Sequence, residues 1–328
     1  MKRIIVVLFF VFVSWSGFAD TTIVQHPNGS WLFSSAFNEF SVWNIETGEK
    51  IRSFGSGVNT PGYKVMIFAI SPNGKRLIAR YNSGVVMWDI EKYESLWSIT
   101  DGYRWHGALS FSPDSTKVVY QSYKIIDPNS DEKITGNIVV LNSDNGNIIN
   151  TLARDVEQLS GLVFSPDGTK AAGGLGNNIK IWDVQTGREF RTLTGHTEDI
   201  MSVCYSNDGR QIISGARDQT AKIWSSDNGR EIRTISLGNN PTLNSVVISP
   251  NGKMVASSFG YDKSIIVWNV DTGSQVLTLP KAWYVKVLFT VNNAQIISHT
   301  RNRDTVTIWD VNNGDKVRQF QIPNDSEM

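Results

Sequence analysis

Residues 195–224 read GHTEDIMSVCYSNDGRQIISGARDQTAKIW and predict one complete structural unit. An apolar strand over residues 200–205 leads into the turn Ser206-Asn207-Asp208-Gly209, and a second strand follows over residues 211–215. A polar turn and a third strand ending at Trp224 complete the unit. Three short strands cannot bury two apolar faces by themselves, so further copies are expected on both sides.

Copies of the strand that ends in tryptophan run through the chain. A tryptophan followed by a polar residue recurs every 41–45 residues, except across one interval of 94 residues. The pairs are Trp43-Asn44, Trp88-Asp89, Trp182-Asp183, Trp224-Ser225, Trp268-Asn269 and Trp309-Asp310. Inside the long interval, residues 138–142 have the same pattern, with Leu141 in place of the tryptophan. The spacing therefore predicts seven repeats.

A second series of turns gives the same number. The turns begin at His26, Ser71, Ser112, Ser165, Ser206, Ser249 and Thr290. Most follow a Ser-Pro-Asp-Gly pattern, in which Pro presets φ, Asp or Asn bonds its own backbone and Gly takes a positive φ. In the fourth repeat, residues 178–184, a turn at 185–187 and residues 188–193 predict two further strands. Each repeat thus holds four strands, named a to d, with connections short enough for antiparallel hairpins.

These turns, Trp-Asp pairs and the Gly-His of residues 195–196 resemble the WD-repeat family of β-propellers. The resemblance covers residues 22–322 and implies an all-β fold, a seven-bladed β-propeller of four-stranded antiparallel blades around a channel. A single propeller domain is expected over residues 20–328. Its approximate blades are residues 22–56, 63–100, 105–153, 158–195, 199–237, 242–280 and 284–322.

The resemblance also implies a hydrogen-bonded structural network in the fifth repeat. The positions of the family's His, Ser, Asp and Trp are held here by His196, Ser214, Asp218 and Trp224. A buried indole N–H and imidazole both need partners, which an Asp and a Ser can supply. The sixth repeat keeps three candidate members and has Asn239 at the His position; the three are Ser258, Asp262 and Trp268.

Two expectations concern the ends and the rim of the ring. Strand a of blade one and strand d of blade seven fall at residues 22–26 and 316–322, so closure is expected from face-to-face packing of these blades. The d strands carry repeated cations. We interpret these charges as protecting the outer edge strands against pairing with the strands of another molecule. They are Lys50, Arg52, Arg188, Arg191, Arg230, Arg233, Lys316 and Arg318.

The first 19 residues predict a bacterial-type secretory signal. Lys2 and Arg3 precede an unbroken apolar run over residues 4–13, and small residues at Gly17 and Ala19 favour cleavage before Asp20. An uncleaved membrane anchor is the alternative, but ten apolar residues are short for a span of roughly 30 Å. The mature protein is therefore expected in a periplasm or outside the cell, without a transmembrane span.

Charge and motifs argue against several classes of function. The chain has 31 basic and 31 acidic residues, so no basic footprint for nucleic acid is expected. Four histidines lack the spacing of metal ligands, and the sequence has no nucleophile elbow or phosphate loop. Residues 127–131 begin like a calcium loop but lack its Gly and final Glu. The single Cys204 excludes an intramolecular disulfide. We expect no cofactor, no metal and no enzymatic activity.

Partner binding is expected on the face that carries the b–c and d–a loops. Trp105 and Trp283 lie at the same offset before their turns, and a polar insertion lengthens one loop over residues 122–137. Exposed Trp, Tyr and Arg supply much of the contact energy in interfaces. The candidate residues are Tyr63, Lys64, Tyr103, Arg104, Trp105, Glu198, Trp283 and Tyr284.

The expected function is a non-enzymatic scaffold, most simply a monomer, that binds a protein or peptide. One alternative is an exported propeller hydrolase or lyase whose central-channel site uses Glu157, Glu198 and Asp199. Another is a glycan-binding propeller that uses Trp105 and Trp283. The loop aromatics could also simply pack on neighbouring loops, and the insertion could have no role.

Overall fold

The computed structural model describes residues 22–36, 39–55, 65–81, 84–101, 108–123, 135–157, 159–238, 243–259, 263–282, 285–300 and 305–322. The regular elements in these ranges are all β-strands, twenty-eight in number. Four consecutive strands form each sheet, in the spatial order a-b-c-d, and every neighbouring pair is antiparallel. The all-β class and the seven blades of four strands are confirmed.

The strands group by their position in the blade. The a strands are β1 Thr22–Gln25, β5 Val65–Ile70, β9 Leu109–Phe111, β13 Ser160–Phe164, β17 Ile200–Tyr205, β21 Leu243–Ile248 and β25 Val285–Phe289. The b strands are β2 Trp31–Ala36, β6 Arg76–Tyr81, β10 Lys117–Tyr123, β14 Lys170–Leu175, β18 Gln211–Ala216, β22 Met254–Phe259 and β26 Gln295–Thr300. The c strands are β3 Glu39–Asn44, β7 Gly84–Asp89, β11 Gly136–Asn142, β15 Asn178–Asp183, β19 Thr220–Ser225, β23 Lys263–Asn269 and β27 Thr305–Asp310. The d strands are β4 Lys50–Phe54, β8 Glu94–Thr100, β12 Ile148–Val156, β16 Glu189–Leu193, β20 Glu231–Ser236, β24 Gln275–Ala282 and β28 Lys316–Gln321.

The tryptophan of strand c occupies the same place in its sheet in every blade that has one. Each pairs with an apolar residue of strand b, as Trp224 does with Ile212, and a register shift in the c–d ladder falls immediately before it. Leu141 pairs with Val118 and follows the same shift. The repeat hidden in the long interval is therefore confirmed, with a buried leucine at the tryptophan position.

The core lies between the blades. Within the described residues, seven buried apolar clusters each join two neighbouring blades, because each sheet is covered on both faces. The cluster that closes the ring packs Ile23, Leu32 and Trp43 of blade one against Ile297 and Ile308 of blade seven. Blades one and seven therefore meet face to face, as expected, while each keeps its own four strands.

Two further observations concern the single cysteine and membrane-spanning helices. Cys204 is a free thiol buried in β17, and burial raises its pKa well above the usual range. No helix in the described ranges has the length and the apolar composition needed to cross a bilayer.

Candidate binding faces

The antiparallel order a-b-c-d gives the ring two different faces. Strands a and c run in one direction, and b and d in the other. All a–b and c–d turns therefore lie on one face, called the turn face below. All b–c and d–a connections lie on the opposite one, called the loop face.

Most residues predicted to bind a partner lie outside the described residues. These are Tyr63, Lys64, Tyr103, Arg104, Trp105, Trp283 and Tyr284. Glu198 is described; it is exposed in the d–a connection between blades four and five.

The predicted insertion is shorter than its sequence bounds. Ser122 pairs with Asn137 and Tyr123 pairs with Gly136, so both ends of the expected 122–137 segment belong to the β10–β11 hairpin. The composition of these residues was loop-like, but ladder pairing extends each strand to them. Residues 124–134, including the candidate calcium loop at 127–131, lie outside the described ranges.

The four residues of the predicted network are hydrogen-bonded to one another in blade five. His196 Nε2 lies 2.8 Å from Ser214 Oγ, and its Nδ1 lies 2.8 Å from Asp218 Oδ2. The Trp224 indole N–H donates to the same Ser214 Oγ at 2.9 Å. His196 and Ser214 are both buried, and the backbone N–H of Thr197 also donates to Asp218, at 3.0 Å. The network thus ties the d–a connection to strands b and c.

One arrangement of protons satisfies all of these contacts. Because a carboxylate only accepts, His196 carries its proton on Nδ1 and donates it to Asp218. Ser214 then accepts from the Trp224 indole and donates its hydroxyl proton to Nε2. Burial lowers the pKa of His196, and the hydrogen bond and charge of Asp218 offset only part of this lowering. The imidazole is therefore neutral at pH 7. Burial acts to raise the pKa of Asp218, but hydrogen bonds from Thr220, Thr197 and His196 outweigh it and lower that pKa.

The order Ser214, His196, Asp218 has the connectivity of a hydrolytic triad, but the serine cannot act as a nucleophile. Ser214 is fully buried in β18, and its Oγ already accepts the indole N–H. No substrate carbonyl could reach that oxygen without removal of Trp224. The arrangement therefore serves to hold the blade together.

The Ser–Trp hydrogen bond recurs in three other blades, and in blades one and seven it was not predicted from the sequence. Trp43 donates to Ser34 at 2.8 Å, Trp268 to Ser257 at 3.2 Å and Trp309 to Ser298 at 2.8 Å. The assignment of Ser258 in the sixth repeat was therefore wrong. Side chains alternate faces along a strand, and Ser257, two residues past the partner of Trp268, points toward the indole.

A second buried polar group, also missed, lies between blades two and three near the loop face. Arg80 Nη1 and Nη2 each donate to a different oxygen of Asp101, both at 2.9 Å. Asp101 also accepts the backbone N–H of Tyr123 from blade three, whose ring lies 4.8 Å from the guanidinium. The sequence feature that indicates this group is Arg80 itself, which lies within the otherwise largely apolar residues 77–81, LIARY.

The carboxylates considered for a channel enzyme do not form a metal site within the described residues. Glu157 and Glu198 are exposed and Asp199 is half-buried. No group of three or more His, Cys, Asp or Glu side chains in the described ranges is arranged to hold a metal ion.

On the turn face, the a–b turns form a closed inner ring. Some neighbouring turns are hydrogen-bonded: His26 Nε2 to the Gly74 carbonyl at 2.9 Å, Asn73 N to Ser115 Oγ at 3.1 Å, Asn251 N to Asn293 Oδ1 at 2.9 Å, and Val291 N to Gln25 Oε1 at 2.8 Å. The remaining turns lie side by side: Pro113 beside Gly168, Pro166 beside Gly209, and Ser206 beside Gly252. The bond from Val291 to Gln25 joins blade seven to blade one.

An outer ring runs along the c–d turns of the same face. Strand d of each blade reaches the c–d turn of the next, through Arg52, Trp97, Asn150, Arg191, Arg233, Leu277 and Phe320. Arg191 Nη1 donates to the Asn228 carbonyl at 3.0 Å, and Arg233 Nη1 to the Thr272 carbonyl at 3.2 Å. Some of the cations interpreted as edge protection therefore also bind the neighbouring blade.

Exposed apolar side chains form a third ring, around the rim. The large exposed ones of the described residues all lie on d strands: Ile51, Leu96, Ile148, Ile149, Phe190, Ile232, Val276 and Val317. At least one comes from each blade, so the rim carries exposed apolar side chains among its exposed cations.

A cleft of about 490 Å³ opens on the turn face between blades four and five. The a–b turns of both blades line it, with Asp167 on one side and Asp208 on the other. Asp227 of the c–d turn and the half-exposed ring of Phe190 form its outer wall, and Tyr205 lies at its base.

Comparison with known proteins supports the same repeat. Residues 145–183, 187–225 and 229–269 match the family model of the WD domain, G-beta repeat. Three consecutive segments of the chain therefore match the WD repeat. Each WD-repeat match begins at or near a c–d turn and ends at a c strand, so one sequence repeat supplies strand d of one blade and strands a to c of the next. The WD repeats therefore bridge consecutive blades.

Several curated proteins are similar to parts of this chain. Autophagy-related protein 16 of Arabidopsis thaliana is 28% identical over 269 residues, which are 80% of this chain and 50% of that protein. WD repeat and SOCS box-containing protein 1 of Homo sapiens is 33% identical over 110 residues, 33% of this chain and 26% of that protein. Serine-threonine kinase receptor-associated protein of Gallus gallus is 23% identical over 189 residues, which are 57% of this chain and 53% of that protein. The matches span about half, or less, of each of these relatives.

Proposed function

We propose that the protein is a non-enzymatic platform that binds a protein or peptide on its loop face. The observation that carries the proposal is the strand order, which brings the b–c and d–a connections of all blades to one side of a rigid ring. Binding residues commonly lie on loops held by such a scaffold. The aromatic segments at 103–106 and 283–284 belong to d–a connections in the sequence, which supports this face.

The blade-five network supports a scaffolding role for the residues around this face. The side chains of His196, Ser214 and Asp218 are hydrogen-bonded to one another and to Trp224, Thr220 and the backbone of Thr197. Their hydrogen bonds fix the start of the d–a connection that carries exposed Glu198. A fixed connection presents its side chains to a partner at little further cost in conformational entropy.

The names of the relatives agree with a protein partner. One of them is named as a serine-threonine kinase receptor-associated protein, which denotes association with another protein. Carried over to this chain, that name favours a protein ligand over a small-molecule substrate.

We also propose that the protein acts in an exported compartment, because its first 19 residues read as a secretory signal. A fusion of residues 1–25 to a mature alkaline phosphatase, which is active only after export, tests this in a bacterial host. Phosphatase activity is expected, with a new amino terminus at Asp20. The variant Leu8→Asp, which interrupts the apolar run, is expected to lose it. Equal activity of the two fusions would contradict export by this segment.

Affinity capture with the mature chain tests the loop face. The double variant Trp105→Ala, Trp283→Ala is expected to lose the partner that the wild-type protein captures. The control variant Ile232→Ala, Val276→Ala removes two exposed apolar side chains from the rim and is expected to retain that partner. An identical set of captured proteins for all three chains would reject this face.

Two measurements address the other function classes. Stoichiometric metal in the purified protein would contradict the non-enzymatic proposal and favour a hydrolase or lyase. Saturable binding on a glycan array, lost in the double tryptophan variant, would replace the protein partner by a carbohydrate.

A further inference from the structure

The cleft between blades four and five has the size of a ligand site. Its volume of about 490 Å³ lies within the range of about 300–1,000 Å³ usual for such sites. It opens on the turn face, opposite the proposed loop-face platform. Its walls come from two a–b turns, the c–d turn of blade five and strand d of blade four.

A buried hydroxyl at the base of this cleft lacks a partner. Tyr205 is 2% exposed, and its Oη makes no hydrogen bond with the described residues. The equivalent position, immediately before the a–b turn, holds phenylalanine or isoleucine in five other blades: Ile70, Phe111, Phe164, Ile248 and Phe289. A phenyl ring would therefore satisfy packing, and the hydroxyl adds a polar atom whose burial is unfavourable unless it is bonded.

The charge around this hydroxyl is negative. Three carboxylates line the cleft, Asp167, Asp208 and Asp227, against the ammonium of Lys170. The Arg191 guanidinium lies at the outer wall, 5.4 Å from the centre of the Phe190 ring, so the acidic groups exceed the basic ones by one. Asp167 and Asp208 use Oδ1 to accept hydrogen bonds within their own turns. Their Oδ2 atoms make no hydrogen bond with the described residues and remain available as acceptors.

Both turn carboxylates are ionised at neutral pH. The Ser206 hydroxyl and the Arg210 backbone N–H lower the pKa of Asp208. Burial acts to raise the pKa of Asp167, but hydrogen bonds from Ser165 and Thr169 outweigh it and lower that pKa. Burial and the charge of Asp167 raise the pKa of Tyr205, so the hydroxyl stays neutral. The cleft thus offers several acceptors of fixed charge beside one hydroxyl.

We propose that this cleft binds the guanidinium group of an arginine side chain supplied by a protein or peptide partner. A guanidinium presents five N–H donors in one plane, which suits acceptors that converge from different turns. In this arrangement Tyr205 Oη accepts one N–H, and Oδ2 of Asp167 and of Asp208 accept others. Phe190 packs along the methylene groups of the ligand. The site is separate from the loop face and does not depend on it.

The probe for this site is N-acetyl-L-arginine N-methylamide, titrated against the isotope-labelled mature protein at low salt. Saturable shifts are expected at the backbone amides of Asp167, Gly168, Asp208 and Gly209. The citrulline counterpart of the probe, which is neutral and nearly isosteric, is expected to produce none of these shifts. Equal shifts with both compounds, or no saturation at millimolar probe, would overturn the proposal.

Three variants locate the contacts. Asp208→Asn should weaken arginine binding about tenfold, because a charge-assisted bond is replaced by a neutral one. Asn73 and Asn251 already hold the same turn bond in other blades, so this variant should fold. Tyr205→Phe should weaken binding by a smaller factor, about threefold to tenfold. The control Asp114→Asn changes the same turn position in blade three, outside the cleft, and should leave binding unchanged.

Failure of this site and failure of the loop-face platform are distinguishable. The variant Trp105→Ala, Trp283→Ala should bind the arginine probe as tightly as the wild-type protein. If Asp208→Asn and Tyr205→Phe both bind the probe with wild-type affinity, the cleft is not the arginine site, whatever the loop face binds.

Discussion

The guanidinium of Arg80 and the carboxylate of Asp101 form a bidentate ion pair that is almost completely enclosed between blades two and three. The side chains are 1% and 7% exposed, respectively. A charge buried at this depth is stable only while its counter-charge is present. The pair also holds blade three, through the Tyr123 backbone N–H that donates to Asp101.

Asp101→Asn should therefore destabilise the propeller by about 3–5 kcal/mol, because it removes the carboxylate that binds the buried Arg80 guanidinium in a bidentate pair. Urea denaturation gives the free energy of unfolding. The matched control is Asp144→Asn, which removes the partner of Arg76 across the same two blades at an exposed position. That variant should lose less than about 1 kcal/mol. Equal losses in the two variants would contradict the role assigned to burial.

Ser214→Ala should destabilise the protein by about 1–3 kcal/mol, since it leaves both the Trp224 indole N–H and His196 Nε2 without a partner. Ser298→Ala is the control: Ser298 accepts the Trp309 indole N–H in the same way, but no imidazole lies within hydrogen-bond distance of it among its described contacts. The loss measured for Ser214→Ala should be the larger one. Thermal and urea melts of both variants decide the order.

Acidification should weaken the fold through His196. Its native pKa is lowered by burial, so the unfolded state takes up the proton first and stability falls as the pH drops below about 6.5. The variant His196→Asn removes this titration. Between pH 7 and pH 5 the wild-type protein should lose more unfolding free energy than the variant, as measured by urea melts at each pH. Parallel pH dependences would show that His196 is not the group responsible.

Gly146→Ala tests the outer ring of turn contacts. A β-carbon at Gly146 would lie 2.9 Å from Cε3 of Trp97, and the residue has a φ of 74°. Gly168→Ala is the control, since its φ is 70° but the nearest atom, Pro113 Cδ, would be 3.7 Å away. In both variants an alanine must adopt a positive φ, which should lower the free energy of unfolding by about 1 kcal/mol. Only Gly146→Ala should lower it further, by about 1–3 kcal/mol, because its β-carbon overlaps Trp97. Calorimetry that ranks them equally would argue against tight contact there.

The number of blades and their strands could be predicted from the sequence, because turn chemistry and strand length are local properties. Leu141 shows why the number of blades could be predicted although one blade lacks the tryptophan. The hairpin turns and the register shift, rather than the indole, fix the position of strand c. The four members of the blade-five network could be placed because each belongs to a motif at a known offset.

Contacts between blades could not be predicted from the sequence. Arg80 stood out in an apolar strand, but nothing in its neighbourhood indicated Asp101, which follows a different strand. Ser258 was assigned where the structure has Ser257, because the register of strand b was not known to one residue and a one-residue error exchanges the two faces of a strand. Asp167 and Asp208 read as turn residues in two separate repeats, and the space between them exists only after the blades pack.

The junction of blades one and seven has a mechanical consequence. At the other six junctions a connecting segment of the chain runs from strand d of one blade to strand a of the next, in addition to the packed side chains. Among the described residues, this junction is held by Ile23, Trp43 and their partners in blade seven, by the Val291–Gln25 hydrogen bond and by Phe320 beside Gly48. Under tension between residues 22 and 322, the propeller should part there first, as a split ring opens at its gap.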